Sequence, residues 1–441
     1  MKKILFALAA ASFLLSQQAY GSGGAAGMGT PQMAASSLPR NTSPNVPAGD
    51  AAALLAGNTA FATDLYATLR NESAFTGKNL FFSPYSISVA LAMTYAGARG
   101  ATASELQKTM HFTLPNDRLH TAFDALDLAL TSPRTPSGAT TPFILRFANS
   151  LWGSPTATDG KPFVFKQPFL DTLATDYGTG VRLADFINAP DAARTTINNW
   201  VAGQTENKIL NLLSPDAINR KTRFVLVNAA YFHGGWLMPF PPEATAAGTF
   251  HGAKGDTTAQ MMTITDKFSY GAGHGWRAVA LPYDGGLTFT AILPDKLSAF
   301  ESSLNAAKLA GIQKSLKFTQ VNLTMPKFTM PGVTFSLKDA LRALGTTALF
   351  TRDADLSGIS TSETTNQTTL AISDVLHQAF ISVDEKSTEA AAATAVIGMQ
   401  VAAARLMPPQ PVVLTLDKPF VFFISDDATG AILFMGRYVG G

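Results

Sequence analysis

Residues 390–404, Ala-Ala-Ala-Ala-Thr-Ala-Val-Ile-Gly-Met-Gln-Val-Ala-Ala-Ala, form an uncharged, proline-free run of mostly small and β-branched side chains close to the end of the chain. Any backbone amide in such a run can join a sheet ladder without desolvating a charge. Natural proteins suppress segments of this kind on their surfaces, because they template pairing with other chains. A fold that keeps one must bury it or hold a place ready for it, so this stretch constrains the architecture more than any other. Residues 389–395 alone suit two turns of alanine-rich helix, alanine being the best helix former. Val396-Ile397-Gly398 directly after them favours an extended chain.

The remainder is rich enough in apolar residues for a large core: 441 residues, 46% hydrophobic and 10% aromatic, compatible with two or three ordinary domains or one interwoven domain. A formal net charge of +2, with 33 basic residues scattered along the chain, leaves no electrostatic footprint for nucleic acid or an anionic membrane. Cysteine is absent, which removes disulfides, thiol nucleophiles and zinc–thiolate sites together and leaves stability to packing. Catalytic motifs are lacking as well. His233-Gly234-Gly235 is similar to a lipase oxyanion loop, but the Gly-x-Ser-x-Gly elbow is missing. Zinc, phosphate-loop and dinucleotide motifs are missing too, and His111, His120, His233, His251, His274 and His377 are spaced too widely to form a ligand set. No metal or cofactor is expected.

Lys2-Lys3, the apolar residues 4–15 and the exit Ala19-Tyr20-Gly21 have the three-part form of a secretory signal peptide cleaved before Ser22. The apolar run is well short of the about 20 residues a membrane anchor needs. Residues 1–21 are therefore expected to direct export, making the protein secreted or periplasmic. Residues 22–49, rich in Gly, Ala, Ser and Pro with one charge, are expected to be a mobile tether, and residues 50–441 a single folded domain.

Along that domain, 50–70 reads as a helix capped by Asp50, and Ser83-Pro84 opens a second helix with serine at the cap and proline at the first position. Ser104 with Gln107 suggests a capping box for a helix toward Met110; 117–130 and 192–213 have helical periodicity, as has 337–344. Strands are expected at 143–152, 223–232, 278–282, 287–293, 321–325, 419–424 and 431–435; the apolar residues of 223–232 are nearly continuous, as when both faces are covered. Helices first and strands later, without regular βαβ alternation, indicate an α+β fold with large sheets.

Five ordered motifs resemble the serpin family. They are Asn79-Leu-Phe-Phe-Ser-Pro-Tyr-Ser86, Phe224-Val-Leu-Val-Asn228 with Trp236 eight residues on, Ala354-Asp-Leu-Ser-Gly358, Leu414-Thr-Leu-Asp-Lys-Pro-Phe-Val-Phe-Phe-Ile424, and Leu433-Phe-Met-Gly436. The resemblance runs from about Ala51 to Gly441 and implies three β-sheets, eight or nine helices and an exposed reactive-centre loop. Such a loop baits a serine protease; once cut, it inserts into the largest sheet and carries the trapped acyl-enzyme to the far pole. The resemblance places the hinge at Glu385, Ser387, Thr388, Glu389, Ala390, Ala391, Ala392, Ala393 and Thr394, the shutter at Ser83, Ser86, Asn228 and His377, and the breach at Trp236.

With period-two alternation, Thr388, Ala390, Ala392, Thr394, Val396 and Gly398 would face the interior of the inserted strand, and none is charged or larger than valine. Ser387 replaces the glycine usual in inhibitory members. Counting sixteen residues from Glu385 gives Val401-Ala402 as the reactive bond, with Arg405-Leu406 as the alternative. Valine suits an elastase-like pocket and arginine a trypsin-like one; cysteine proteases are further candidate targets. Residues 117–130 lack the basic cluster of glycosaminoglycan-activated members. The expectation is a monomeric suicide inhibitor, with a non-inhibitory carrier or chaperone as the alternative.

Overall fold

The computed structural model describes residues 32–132, 143–156, 161–360, 370–385 and 410–441. Among them the helices are α1 (Ala48–Leu69), α2 (Pro84–Gly97), α3 (Gly100–Thr109), α4 (Asn116–Thr131), α5 (Gln167–Tyr177), α6 (Pro190–Gln204), α7 (Leu297–Ser302), α8 (Ala306–Ser315) and α9 (Lys338–Ala343). The first strands are β1 (Met33–Ala34), β2 (Leu80–Phe82), β3 (Ile144–Gly153), β4 (Val181–Leu183), β5 (Phe224–His233), β6 (Ala246–Gly252), β7 (Gly255–Gly273) and β8 (Trp276–Tyr283). They are followed by β9 (Leu287–Pro294), β10 (Lys317–Pro326), β11 (Phe328–Met330), β12 (Phe335–Ser336), β13 (Val375–Val383), β14 (Val412–Thr415), β15 (Phe420–Asp426) and β16 (Ile432–Tyr438).

One sheet runs β1-β4-β3-β5-β13-β11, with β12 also on β13; the other runs β14-β10-β7-β8-β9-β15-β16-β2, with β6 on β7. The three expected sheets are drawn together as two because β7 serves two of them. Its residues 255–270 pair with β6 and β10, and 269–273 pair with β8. The serine cap of α2 is as expected, the Ser83 hydroxyl accepting from the Ser86 amide. The closing hairpin β15–β16 is wholly buried, which explains its near-continuous apolar sequence.

Four local expectations need correction. Asp50 does not cap α1, which starts two residues earlier; its carboxylate is buried against the Arg118 guanidinium instead. The third helix starts at Gly100, so Ser104 lies inside it and its hydroxyl donates back to the Gly100 carbonyl. The helix expected over 192–213 ends at Gln204, where Glu206 and Asn207 take left-handed backbone angles. Ile209, Leu212 and Leu213 continued the apolar pattern, but they pack from a return loop, with Asn198 bonded both ways to the Leu213 backbone at 2.8 and 3.0 Å.

The fourth correction concerns the expected tether, which is seated against the domain from Gln32 onward. The Gln32 carbonyl accepts from the Leu183 amide at 2.7 Å, β1 pairs with β4, and the Ser36 hydroxyl donates to Asp171 at 2.6 Å. Arg40 then bridges two carboxylates of α4, Asp124 at 2.8 Å and Asp127 at 2.7 Å. Composition indicated mobility because the stretch has little apolar surface, but backbone pairing and one bidentate arginine need none.

Candidate functional site

The first sheet contains one feature that its neighbours make unusual. β5 and β13 pair in parallel from Leu226–Val375 to Phe232–Ile381, while β3 is antiparallel to β5, and β11 and β12 are antiparallel to β13. A parallel ladder is slightly weaker per residue than an antiparallel one. A new strand entering between β5 and β13, antiparallel to both, would replace that one ladder with two stronger ones. β13 alternates strictly between buried and half-buried residues, its odd-numbered side chains facing the core over α2 and its even-numbered ones the opposite face. Leu376 and Phe380 on that second face pack against the cluster under α6, which includes Trp152, Ile197 and Val201.

Beneath the seam lies a polar chain, fully buried except at Asn149. The Ser83 amide donates to His377 Nε2 at 3.1 Å, which fixes Nδ1 as the protonated nitrogen, and Nδ1 donates across the seam to Asn228 Oδ1. With its oxygen occupied, Asn228 uses Nδ2 to donate to Ser86 Oγ at 2.7 Å and to Asn149 Oδ1. Ser86 Oγ also donates to Asn149 Oδ1 at 2.7 Å, and Ser83 Oγ to the Leu433 carbonyl at 2.7 Å. Ser83, Ser86, Asn228 and His377, proposed from sequence as one cluster, are thus brought together. Asn149 was missed: it lies in no recognised motif, and only its register opposite Asn228 in β3 reveals it.

This cluster couples the seam to its neighbours. Parting β5 from β13 must break the Asn228–His377 bond, and each side would leave a buried polar atom unpaired unless the incoming strand replaces it. Burial pushes the His377 imidazole down to about 3 and His120 down to about 4. Both side chains are neutral in the folded protein at neutral pH, whereas the unfolded chain takes up protons near 6.5. The unfolded state therefore binds more protons between that value and the depressed ones. Stability is complete above about pH 6.5 and is lost as pH falls through the window, by roughly 2 kcal/mol per histidine at pH 5. Thermal unfolding midpoints measured from pH 7 to 5 should fall, and His377→Asn should reduce that slope; equal slopes in both proteins would exclude His377 as a source.

At the upper end the breach is built from aromatic stacking. Trp236 is buried, stacks on Tyr283 at 4.2 Å between ring centroids, and donates from Nε1 to the Asp384 carbonyl at 2.8 Å. The next residue, Glu385, meets Lys327 Nζ at 2.7 Å. Burial alone would raise the Glu385 carboxyl, but hydrogen bonds led by Lys327 outweigh it and hold it below its ordinary value. The chain leaving β13 is therefore pinned at Asp384 and Glu385, directly above the seam. Ser387, Thr388, Glu389, Ala390 to Thr394, Val401, Ala402, Arg405 and Leu406 lie outside the described residues.

A parallel seam over a polar latch, held at Asp384 and Glu385 just ahead of the uncharged sequence 390–404, is a place where a further strand can be added to a sheet. A sequence model described as "Serpin (serine protease inhibitor)" matches residues 56–440. The leukocyte elastase inhibitor of Homo sapiens is 38% identical over 399 residues, covering 87% of this chain and 98% of that protein. Among solved structures, uncleaved ovalbumin is similar with a TM-score of 0.75 at 27% identity, over 88% of this chain and 100% of its own. Native tengpin, a thermophilic serpin, is similar with a TM-score of 0.75 at 25% identity, over 90% of this chain and 95% of its own.

The chain belongs to the serpin family. It is a serine protease inhibitor and not an enzyme, of the suicide-substrate type in which the cleaved reactive loop inserts into the main sheet.

Proposed function

We propose that this protein inhibits an elastase-like serine protease through the bond between Val401 and Ala402, and that it does so outside the cytoplasm. What carries the choice of bond is the length of strand the seam takes, in a register set by the alternation of β13. Its odd-numbered residues from Val375 to Val383 face the core, and the small loop residues suited to the interior are even-numbered. Directly opposed residues of an antiparallel pair share a face, so the paired residue numbers must sum to an odd value. A tight return that sets Thr388 beside Val383 gives a sum of about 771, with Thr394 beside His377 and Val401 beside Leu370. Leu370 and Ile372, both buried, lie just below the start of β13, so a strand ending at Val401 spans the seam.

Cleavage after Arg405 would add four residues, about 13 Å of extended chain, and slacken the tether that presses the acyl-enzyme against the far pole. A valine side chain fits a shallow elastase-type pocket, and elastase inhibition is what the similar human protein is named for. Export rests on Lys2-Lys3, the apolar residues 4–15 and the small residues Ala19 and Gly21.

Val401→Asp should abolish inhibition of pancreatic elastase while Arg405→Ala leaves it intact. Mass spectrometry of the released carboxyl-terminal peptide should begin at Ala402. Elastase inhibition retained in Val401→Asp, or a peptide beginning at Leu406, would transfer the reactive bond to Arg405.

A further inference from the structure

The strand that receives the end of the reactive loop lies on an unusual surface. β14 is an edge strand, paired in parallel with β10 from Val321–Val412 to Thr324–Thr415. β10 in turn pairs with β7, setting Phe318 opposite Ser269, Gln320 opposite Lys267 and Asn322 opposite Thr265. Alternation divides the middle of β10: Val321, Leu323 and Met325 are buried, and Phe318, Gln320, Asn322 and Thr324 face outward. On that outer face Phe318 is 72% exposed, the most exposed large apolar side chain among the described residues, and Val413 is 65% exposed.

The polar groups beside Val413 are engaged with one another. The Asn322 amide donates to the Thr265 hydroxyl at 2.5 Å, and the Thr263 and Thr324 hydroxyls meet at 3.0 Å. What the face offers a partner is therefore apolar contact, with Lys267 and Lys317 as exposed charges beside it. Packing does not explain Phe318, since it is turned away from the core that the odd residues of its own strand fill.

Position identifies the occupant. In the parallel register that pairs Val321 with Val412, Phe318 lies three residues nearer the point where the reactive loop enters β14, about 10 Å along the strand. Gln410, where the described chain resumes beside β14, lies eight residues after Ala402, so a protease at the proposed bond is tethered within about 28 Å of extended chain of this end of the sheet. We infer that Phe318, with Val413, is an accessory docking patch for the target protease, contacting an apolar, weakly charged part of its rim during the encounter that precedes cleavage. This rests on the inhibitor reading above and adds a determinant of rate and selectivity outside the loop. Exposed aromatics that fill a partner pocket are the side chains whose truncation costs most at interfaces.

The test uses the full chain with pancreatic elastase, comparing wild type, Phe318→Ala, Phe318→Asp and, as an exposed apolar residue in another part of the molecule, Val333→Asp. The second-order rate of covalent complex formation should fall about tenfold in Phe318→Asp and severalfold in Phe318→Ala. The number of inhibitor molecules consumed per trapped enzyme and the melting midpoint should stay unchanged, and Val333→Asp should match wild type. Equal rates in all four proteins, with trapping intact, would overturn the docking patch alone. A wild-type dimer in light scattering that Phe318→Asp converts to monomer would assign the face to a second copy instead. Wild-type protein that is cleaved without trapping elastase would remove both this inference and the reading beneath it.

Discussion

A single proteolytic cut between Val396 and Met407 should raise the thermal unfolding midpoint by several degrees or more. Nicked proteins ordinarily lose stability, because a cut releases chain without creating contacts. Here the freed segment has a place to go. The β5–β13 seam is parallel, and a strand of about 15 residues bonded on both edges makes roughly 25 hydrogen bonds at about 1 kcal/mol net each in place of the ladder joining 226–232 to 375–381. Ordering that chain removes on the order of 1–1.5 kcal/mol per residue. Because two antiparallel edges replace one parallel ladder, the bonds gained exceed those displaced, and the midpoint should rise. The latch over α2 need not be lost, since the hydroxyl of Thr394 would arrive beside His377 and Asn228. Calorimetry of intact and singly cut protein decides the matter: a midpoint that is unchanged or lower after the cut would mean that the seam does not admit the strand.

That expectation began with a composition signal, and the signals that carried were those set by packing on both sides of an element. β5 and the β15–β16 hairpin are buried along nearly their whole length, so their apolar runs announced them. Ser83, Ser86, Asn228 and His377 were legible because they stand in motifs. The structure added what a motif cannot carry, namely the tautomer of His377, the direction of each bond and the part played by Asn149.

β7 was overlooked because much of its 19-residue length faces solvent and carries Thr, Gly, Gln and Lys with few buried apolar positions. The over-long α6 has the opposite cause: Ile209, Leu212 and Leu213 extend the apolar series, but a helix and a return loop beneath it bury the same residue types. Residues 32–47 escaped because their attachment is polar. Ser36, Arg40 and the backbone of β1 hold them through partners more than a hundred residues away in two cases, and no local pattern encodes such a pairing.

Replacing Thr388 with arginine should convert the inhibitor into a substrate. In the register that places Val401 beside Leu370, Thr388 is the first residue to enter, beside Val383, which is buried at the upper end of β13. Trp236 and the Glu385–Lys327 ion pair surround that entry point. Bringing a guanidinium into it costs several kcal/mol of desolvation. Lys327 already satisfies the nearest carboxylate, so no free counter-charge compensates at Glu385. The attacked bond lies thirteen residues further on, so cleavage itself should proceed at the parent's rate. Insertion then stalls at its first step, the acyl-enzyme hydrolyses before it is displaced, and covalent complex on a denaturing gel should fall more than tenfold. Cut Thr388→Arg protein should also lack most of the rise in melting midpoint seen in the parent. Thr388→Val, similar in size and uncharged, should trap normally and separate the charge from any other effect of changing the residue. An arginine variant that traps protease as efficiently as the parent would show that the strand enters elsewhere, and the register built on Thr388 would have to be abandoned.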